Sequence, residues 1–462
     1  MRPLYVGRLP HRRAGGGGWG LRVWLVLTLT LVAWGLVGSR TGLLVLAAGL
    51  LWRSLGGLWW RGVRLAVERV GGRAGDVLAL VHAWRWWPVL APHVGLATVD
   101  PGTTRQLIPA RGGRTGALVL DPGRSEWIVV RLVFRLTPWG FTATGRLVAG
   151  MVPEDFTERT PALVHAWYVH AVRVDSPARG WVRLTALRRD PLAVPVPALP
   201  VPDTPDLAAL PVGRREDGRV WTVRLLGRHI LIAGSTGAGK GSVQWSLIRA
   251  LCPLLASGVV QVWTADPKRM EFPAGLRLFA RYAADPEGIV AMAEDAARVL
   301  DARAGRLAGV TRQHMPSAGD PLLVLNLDEI AYLTAYLPDR KLRERFGQAL
   351  ARILTQGRAV GVLVVAAVQD PRKDVITWRG LFPTRIALRL DDESQVDMVL
   401  GDGALARGAA CQLVPADERT GAGVAYVVDE GVPWPVRVRA GHVTDADIAE
   451  MVHRWPAVTP AG

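Results

Sequence analysis

The sequence predicts an α/β protein with a parallel sheet in its second half, a small α+β module before it, and a helical hairpin at its N-terminus. Three observations carry this. Four short, almost wholly apolar runs between positions 229 and 368 each end in a glycine-rich or polar segment, as buried parallel strands do. Between Trp127 and Leu187 the chain alternates apolar and polar residues in strand-length pieces. Before residue 61 lie two long apolar runs flanked by arginine. At 462 residues the chain suits two or three domains of roughly 150 residues each. Hydrophobic residues make up 50% and charged residues 21%, which excludes wholesale disorder.

The formal charge of +16 points to an anionic partner, nucleic acid or a membrane surface. The basic residues are 52 Arg and 4 Lys. Cys252 and Cys411 are too few for a disulfide framework or a Cys-only zinc site, and they suit a reducing compartment.

Val23 to Gly38 is free of charge, and Gly42 to Trp52 and Ser54 to Trp60 are apolar again after a Ser39-Arg40-Thr41 turn. A membrane span needs about 20 such residues, so residues 19–61 read as two transmembrane helices. Five arginines (2, 8, 12, 13 and 22) lie before or at the start of the first span, and four (61, 64, 69 and 73) follow the second. Only Arg40 lies between, so both ends are expected to face the cytoplasm, residues 1–18 forming a basic N-terminus. Trp19, Trp24, Trp52, Trp59 and Trp60 would sit in interfacial belts. No small-residue cleavage site follows the first run, which argues against a signal peptide. The expected address is the cell membrane, multi-pass. Residues 1–73 alone carry +10 of the net charge, so the excess is mainly a topology signal.

Residues 62–125 read as a juxtamembrane, irregular region, rich in Gly, Pro and Arg in its second half. Residues 126–190 read as a β-β-α-β-β module, its helix opened by Pro153-Glu154-Asp155, with proline in the first turn and acids at the positive dipole end. His165 and His170 in it read as packing or surface residues. Residues 191–212 hold seven prolines and read as a semi-rigid spacer and domain boundary.

The chemistry lies in residues 213–440. His229 to Ala233 (HILIA) runs into Gly234, Ser235, Thr236, Gly237, Ala238, Gly239 and Lys240, and a helical pattern follows from Val243. Strand, G-x-x-x-x-G-K loop and helix in that order form a P-loop. The glycines let backbone N–H groups wrap a phosphate, the helix N-terminus adds its dipole, and Lys240 supplies a point charge to the β- and γ-phosphates. One position departs from the pattern. Where a Ser or Thr hydroxyl for Mg²⁺ is expected stands Gly241, followed by Ser242. One residue turns a helix by about 100°, so Ser242 would reach the metal only through an adjusted first turn.

A second run, Val259 to Trp263, leads into Asp266-Pro267-Lys268, and a third, LLVLNL at 322–327, ends in Asp328-Glu329. That is the Walker B form: Asp328 toward the Mg²⁺ shell and Glu329 as general base for the attacking water. A fourth run, Val362 to Val368, ends in Gln369, where a polar side chain can sense the γ-phosphate. Four parallel strands with phosphate chemistry at their carboxyl ends describe a RecA-like P-loop ATPase core that binds ATP and Mg²⁺.

In order, the segments HILIAGSTGAGKGS, ADPKRMEF, LLVLNLDEI, QGRAVGVLVVAAVQDPRKDVI, FPTRIALRL and VLGDGA resemble the FtsK/SpoIIIE family of DNA-pumping ATPases over about residues 213 to 440. GKGS in place of GKS, with the module before it, resembles the actinobacterial plasmid-transfer branch. The resemblance implies a homo-hexameric ring threaded by double-stranded DNA, with ATP sites between subunits and other transfer proteins as further partners. It carries roles over to Lys240, Asp328, Glu329 and Gln369. It makes Arg358 and Arg385 alternative candidates for an arginine finger on the neighbour's γ-phosphate. Arg372 and Lys373 become candidate phosphate contacts in a pore. Residues 441–462 read as a short tail, too short for a winged-helix module that reads DNA polarity. The leading reading is a membrane-anchored DNA translocase for transfer of a plasmid or integrative element. The alternatives are a chromosome-segregation pump of the same family, a protein-secretion ATPase, and a nucleotide-binding scaffold with little turnover, the last prompted by Gly241.

Overall fold

A computed structural model describes residues 72–458, apart from 101–102, 109–116, 123–125, 373–376 and 433. The predicted hairpin at 19–61 and the segment 1–18 lie outside the described residues. Among the described residues no helix is long and apolar enough to cross a membrane. Contacts divide the chain into residues 1–82 and 83–462.

Helix α1 (Gly72–His93) begins the described chain, within the stretch read as irregular. Four strands follow: β1 (Ala97–Asp100), β2 (Thr103–Ile108), β3 (Ala117–Pro122) and β4 (Glu126–Val129). β1 pairs with β4 and β2 with β3, both antiparallel. The module proper is β5 (Leu132–Thr137), β6 (Gly140–Arg146), α2 (Pro153–Glu158), α3 (Thr160–Trp167), β7 (Ala171–Asp175) and β8 (Trp181–Leu187). Its strands form one antiparallel sheet in the order β5-β6-β8-β7. Two helices stand where the sequence reading has one, because Pro161 opens a second helix at a position where its missing N–H costs nothing. The core of the module is aromatic. Trp167 packs against Phe141 at 5.6 Å, Phe134 at 6.3 Å and Trp87 of α1 at 6.0 Å. The Trp87 indole N–H donates to the Val130 carbonyl at 2.7 Å.

The proline-rich stretch differs from the expected spacer. Leu192 is fully buried, β9 (Val196–Pro197) adds a parallel edge to a later strand, and Arg249 holds the Leu199 carbonyl at 2.8 Å. Proline's extended geometry keeps this stretch from helix but not from lying along a surface that supplies donors to its carbonyls.

The second half holds β10 (Leu210–Arg215), β11 (Val220–Val223), β12 (Ile230–Ala233), α4 (Lys240–Ala256), β13 (Val260–Ala265), β14 (Arg281–Ala283), α5 (Pro286–Leu307), β15 (Leu322–Leu327), α6 (Arg340–Val360), β16 (Val362–Val368), β17 (Thr384–Ala387), α7 (Glu393–Leu400), β18 (Val424–Val428), β19 (Val436–His442) and α8 (Asp445–Arg454). Its sheet runs β11-β10-β19-β18-β17-β12-β16-β15-β13-β14. The six strands from β17 to β14 are parallel; β18, β19, β10 and β11 extend the sheet by antiparallel pairs.

Both faces of the parallel part are covered, which is why its central strands β12, β15 and β16 are nearly continuous apolar runs. Leu231, Leu325 and Val364 face one cluster with α5 and α6. Their neighbours Ile232, Val324 and Val365 face the other, with α4. The segment read as a tail contains α8, which buries Ile448 and Met451 on that second cluster and is started by a Thr444–Asp447 capping box. From β12 the chain crosses to β13 and returns through β15 to β16, beside β12, then passes to β17 on its other side. The carboxyl end of β12 is therefore the topological switch point, where such sheets open a crevice.

Candidate active site

The loop after β12 closes through backbone bonds to its neighbours. Gly234 N–H donates to Val368 O at 3.1 Å, and Ser235 N–H to Arg389 O at 2.9 Å. Gly237 and Gly239 have φ of +74° and +94°, the left-handed region where glycine is at ease. Gly239 has a second reason: a Cβ there would overlap Gly423, whose N–H donates to Ala238 O at 2.9 Å. Lys240 opens α4 and bends over the loop, its ammonium donating to Gly234 O at 2.8 Å and Ser235 O at 3.2 Å. Burial pushes its pKa down to about 8, partly offset by the nearby Glu329 charge.

The ends of β15 and β16 meet this loop. Glu329 is nearly buried and held at both oxygens, by Gln369 N–H at 3.2 Å and the Lys268 ammonium at 3.3 Å. The Gln369 side chain turns the other way and accepts from the Thr236 hydroxyl at 3.4 Å. Asp328 follows β15, its N–H on Ala265 O at 3.0 Å. Its carboxyl pKa is pushed up to about 7, first by burial and then by the charge of Asp266. The structure thus brings together Thr236, Lys240, Asp328, Glu329 and Gln369 from three strand ends. Ser242 lies on the first turn of α4, half-buried.

Three residues here went unassigned in the sequence. Lys268 holds Glu329. Arg389 donates to Thr236 O at 2.7 Å. Glu271 sets its carboxylate against Gly241, where an added Cβ would lie 2.5 Å from its carboxyl carbon. The ADPKRMEF segment supplies two of the three; only the folded loop says which of its charges turn inward.

The two arginine candidates stand elsewhere. Arg358 ends α6 and donates to Gly227 O at 2.8 Å and Glu430 at 3.2 Å. Arg385 pairs in register with Leu231, and its Nη1 donates to Val399 O at 3.4 Å. Both line one open pocket of about 490 Å³ at the amino edge of the sheet, away from Lys240. Arg372 is clasped by Asp370, with 2.9 Å from Nε to each carboxylate oxygen, and Lys373 lies outside the described residues.

The site offers oxygen donors and cationic partners, a set suited to phosphate with a hard divalent cation. Among the described residues no group of three or more His, Cys, Asp or Glu is placed to hold a metal by itself. A Mg²⁺ here would take most of its shell from phosphate and water, as it commonly does. A separate cleft of about 530 Å³ lies between the module and the outer strands of the large sheet. It is bounded by an ion-pair network: Arg437 on Asp190 at 2.7 Å and on Glu216 at 2.9 Å, and Arg173 on Glu216 at 2.9 Å.

Residues 98–188 match the family model of the actinomycete conjugal transfer protein N-terminal domain. The chain is 26% identical over 245 residues to DNA translocase FtsK of Borreliella burgdorferi, covering 48% of this chain and 29% of that protein. It is 28% identical over 240 residues to DNA translocase SftA of Bacillus subtilis, covering 48% and 24%. For FtsK of Streptomyces coelicolor the figures are 27% over 249 residues, 48% and 25%. The chain thus spans less than a third of the length of these relatives. Among solved structures, the pCW3 conjugation coupling protein TcpA, in a monomer form with ATPγS, is 17% identical with a TM-score of 0.48, covering 70% of this chain and 93% of that one. Over about half its length the chain is thus similar to DNA translocases of the FtsK/SpoIIIE family, and its residues 98–188 match the actinomycete conjugal transfer N-terminal domain.

Proposed function

We propose that the protein is a membrane-anchored ATPase that drives double-stranded DNA, in the transfer of a plasmid or integrative element between cells. One observation carries the reading: a P-loop lysine, a Walker B acid pair and a polar sensor meet at one switch-point crevice, in a chain that also bears a conjugal-transfer domain.

ATP would enter with its phosphates on the loop 234–240. Lys240 then exchanges the Gly234 and Ser235 carbonyls for phosphate oxygens. Glu329, oriented by Gln369 N–H and Lys268, takes a proton from water as that oxygen bonds to the γ-phosphorus and the bond to the ADP oxygen breaks. Asp328 would hold Mg²⁺, which when bound draws charge from the phosphoryl oxygens. Thr236 links the loop to Gln369, so loss of the γ-phosphate would be felt at the end of β16. Arg358 or Arg385, remote from Lys240, suits a role on a neighbouring copy's nucleotide, which is why the assembly is proposed to be a ring, of six subunits by family resemblance.

The test is ATP hydrolysis by the full chain in detergent, with and without duplex DNA, and electron microscopy of the same sample. Hydrolysis that rises with DNA, falls on dilution and accompanies rings is expected. Turnover indifferent to DNA, from dispersed monomers, would refute the reading.

A further inference from the structure

Gly241 stands where P-loops carry the hydroxyl that binds magnesium. The fold puts another oxygen there. A Cβ built on Gly241 would lie 2.5 Å from the Glu271 carboxyl carbon, 2.9 Å from Oε2 and closer still to Oε1. A Cβ cannot coexist with that nearer oxygen, so the Glu271 carboxylate fills the space that a serine side chain at 241 would take.

The loop that delivers Glu271 is anchored on both sides. Phe272 is fully buried and packs against Trp245 at 5.1 Å and edge-on against Phe279 at 5.9 Å. Its N–H donates to Asp266 Oδ2 at 3.1 Å. Trp245, on the second turn of α4, lies close enough to the Glu271 carboxylate to favour its charged form. Asp266 is fully buried, and its other oxygen, Oδ1, has no hydrogen-bond partner. Asp266 also acts electrostatically on both Asp328 and Glu271. Asp266, Glu271, Asp328 and Glu329 meet Lys240 and Lys268 in this crevice, an acid-rich set that a divalent cation would complement.

We propose that Glu271 supplies the protein oxygen to the nucleotide's Mg²⁺ that Gly241 does not, so that the first turn of α4 has exchanged a neutral hydroxyl ligand for a carboxylate from the loop after β13. This rests on the reading of the crevice as an ATP·Mg²⁺ site. A carboxylate attracts the cation more strongly and repels metal-free nucleotide more strongly. Binding should therefore depend more steeply on Mg²⁺ than a hydroxyl would make it.

The experiment titrates Mg²⁺ into the full chain with a fluorescent ATP analogue, starting from EDTA. Glu271→Gln, nearly isosteric, should raise the Mg²⁺ needed for half-maximal binding at least about tenfold, and leave metal-free binding equal or tighter. Glu271→Ala should do the same, and Gly241→Ser added to Glu271→Ala should restore the Mg²⁺ requirement to within a few-fold of the parent. A parent that binds nucleotide without regard to Mg²⁺ would refute the ATP·Mg²⁺ reading itself. A parent that responds to Mg²⁺ while Glu271→Gln matches it, or loses binding equally with and without Mg²⁺, would overturn only the assignment of Glu271.

Discussion

The two edges of the parallel sheet are built on different plans. At the carboxyl edge, Lys240, Thr236, Glu329 and Gln369 hydrogen-bond to one another or to the loop that carries them, and all but the exposed Thr236 are half-buried or buried. At the amino edge, Arg358 and Arg385 share an open pocket with Glu430, and their partners are mostly backbone carbonyls. The first edge is poised for chemistry within one chain. The second presents cations outward, as a surface acting on a neighbour's phosphates would. The same strands carry both, because parallel strands put all their carboxyl ends on one side and all their amino ends on the other.

The sharpest way to break this contrast is at the carboxyl edge. Glu329→Gln should lower ATP turnover about a thousandfold and leave nucleotide binding intact, measured by phosphate release and by binding of an ATP analogue. At the amino edge, Arg358→Ala or Arg385→Ala should lower turnover about a hundredfold for whichever is the finger. Mixing that variant with Glu329→Gln should recover part of the turnover, since each protein supplies the edge the other lacks. No recovery in mixed assemblies would place both edges at work within one chain.

His229 gives the amino edge a pH signature. It is fully buried, accepts from Val364 N–H at 3.1 Å, and its pKa is lowered to about 4, first by burial and then by the Arg358 charge. The unfolded chain binds this proton near pH 6.5 and the folded one only near 4, so stability is lost as pH falls through that window. Between pH 6.5 and 5 the loss from this group is about 2 kcal/mol. In urea titrations His229→Asn should show a correspondingly shallower decline, and equal slopes would contradict the burial cost. Comparable in size is the link between module and sheet. Glu216→Ala leaves Arg173 and Arg437 without a shared partner and should cost about 2 kcal/mol, read as a lower thermal midpoint with the nucleotide affinity unchanged.

What could be read in advance follows from how each region is buried. β12, β13, β15 and β16 lie between two layers, so their side chains are mostly apolar on both faces and the runs stand out. The loop 234–240 is legible because phosphate binding needs glycine and lysine at fixed spacing. α1 was missed because two prolines and a mixed outer face blur its period. α8 was missed because a ten-residue helix near the end of a chain looks like a tail until Ile448 and Met451 find a core. The proline-rich stretch looked like a spacer because composition reports backbone stiffness and not the donors that meet it, such as Arg249 and Arg439 on the Leu199 and Leu192 carbonyls.

By itself the sequence determined the P-loop, the acid pair after β15, the parallel α/β core and the kinship with DNA translocases. Each depends on residue types at short range: glycines that permit a turn, a lysine at its end, apolar runs closed by carboxylates. Only the tertiary structure decided which long-range neighbours complete those motifs. It set Gln369 N–H and Lys268 on Glu329, gathered Arg358 and Arg385 at the opposite edge, and laid Glu271 against Gly241. Those contacts join segments tens of residues apart, and the chain's order carries no distance between them until the sheet has assembled.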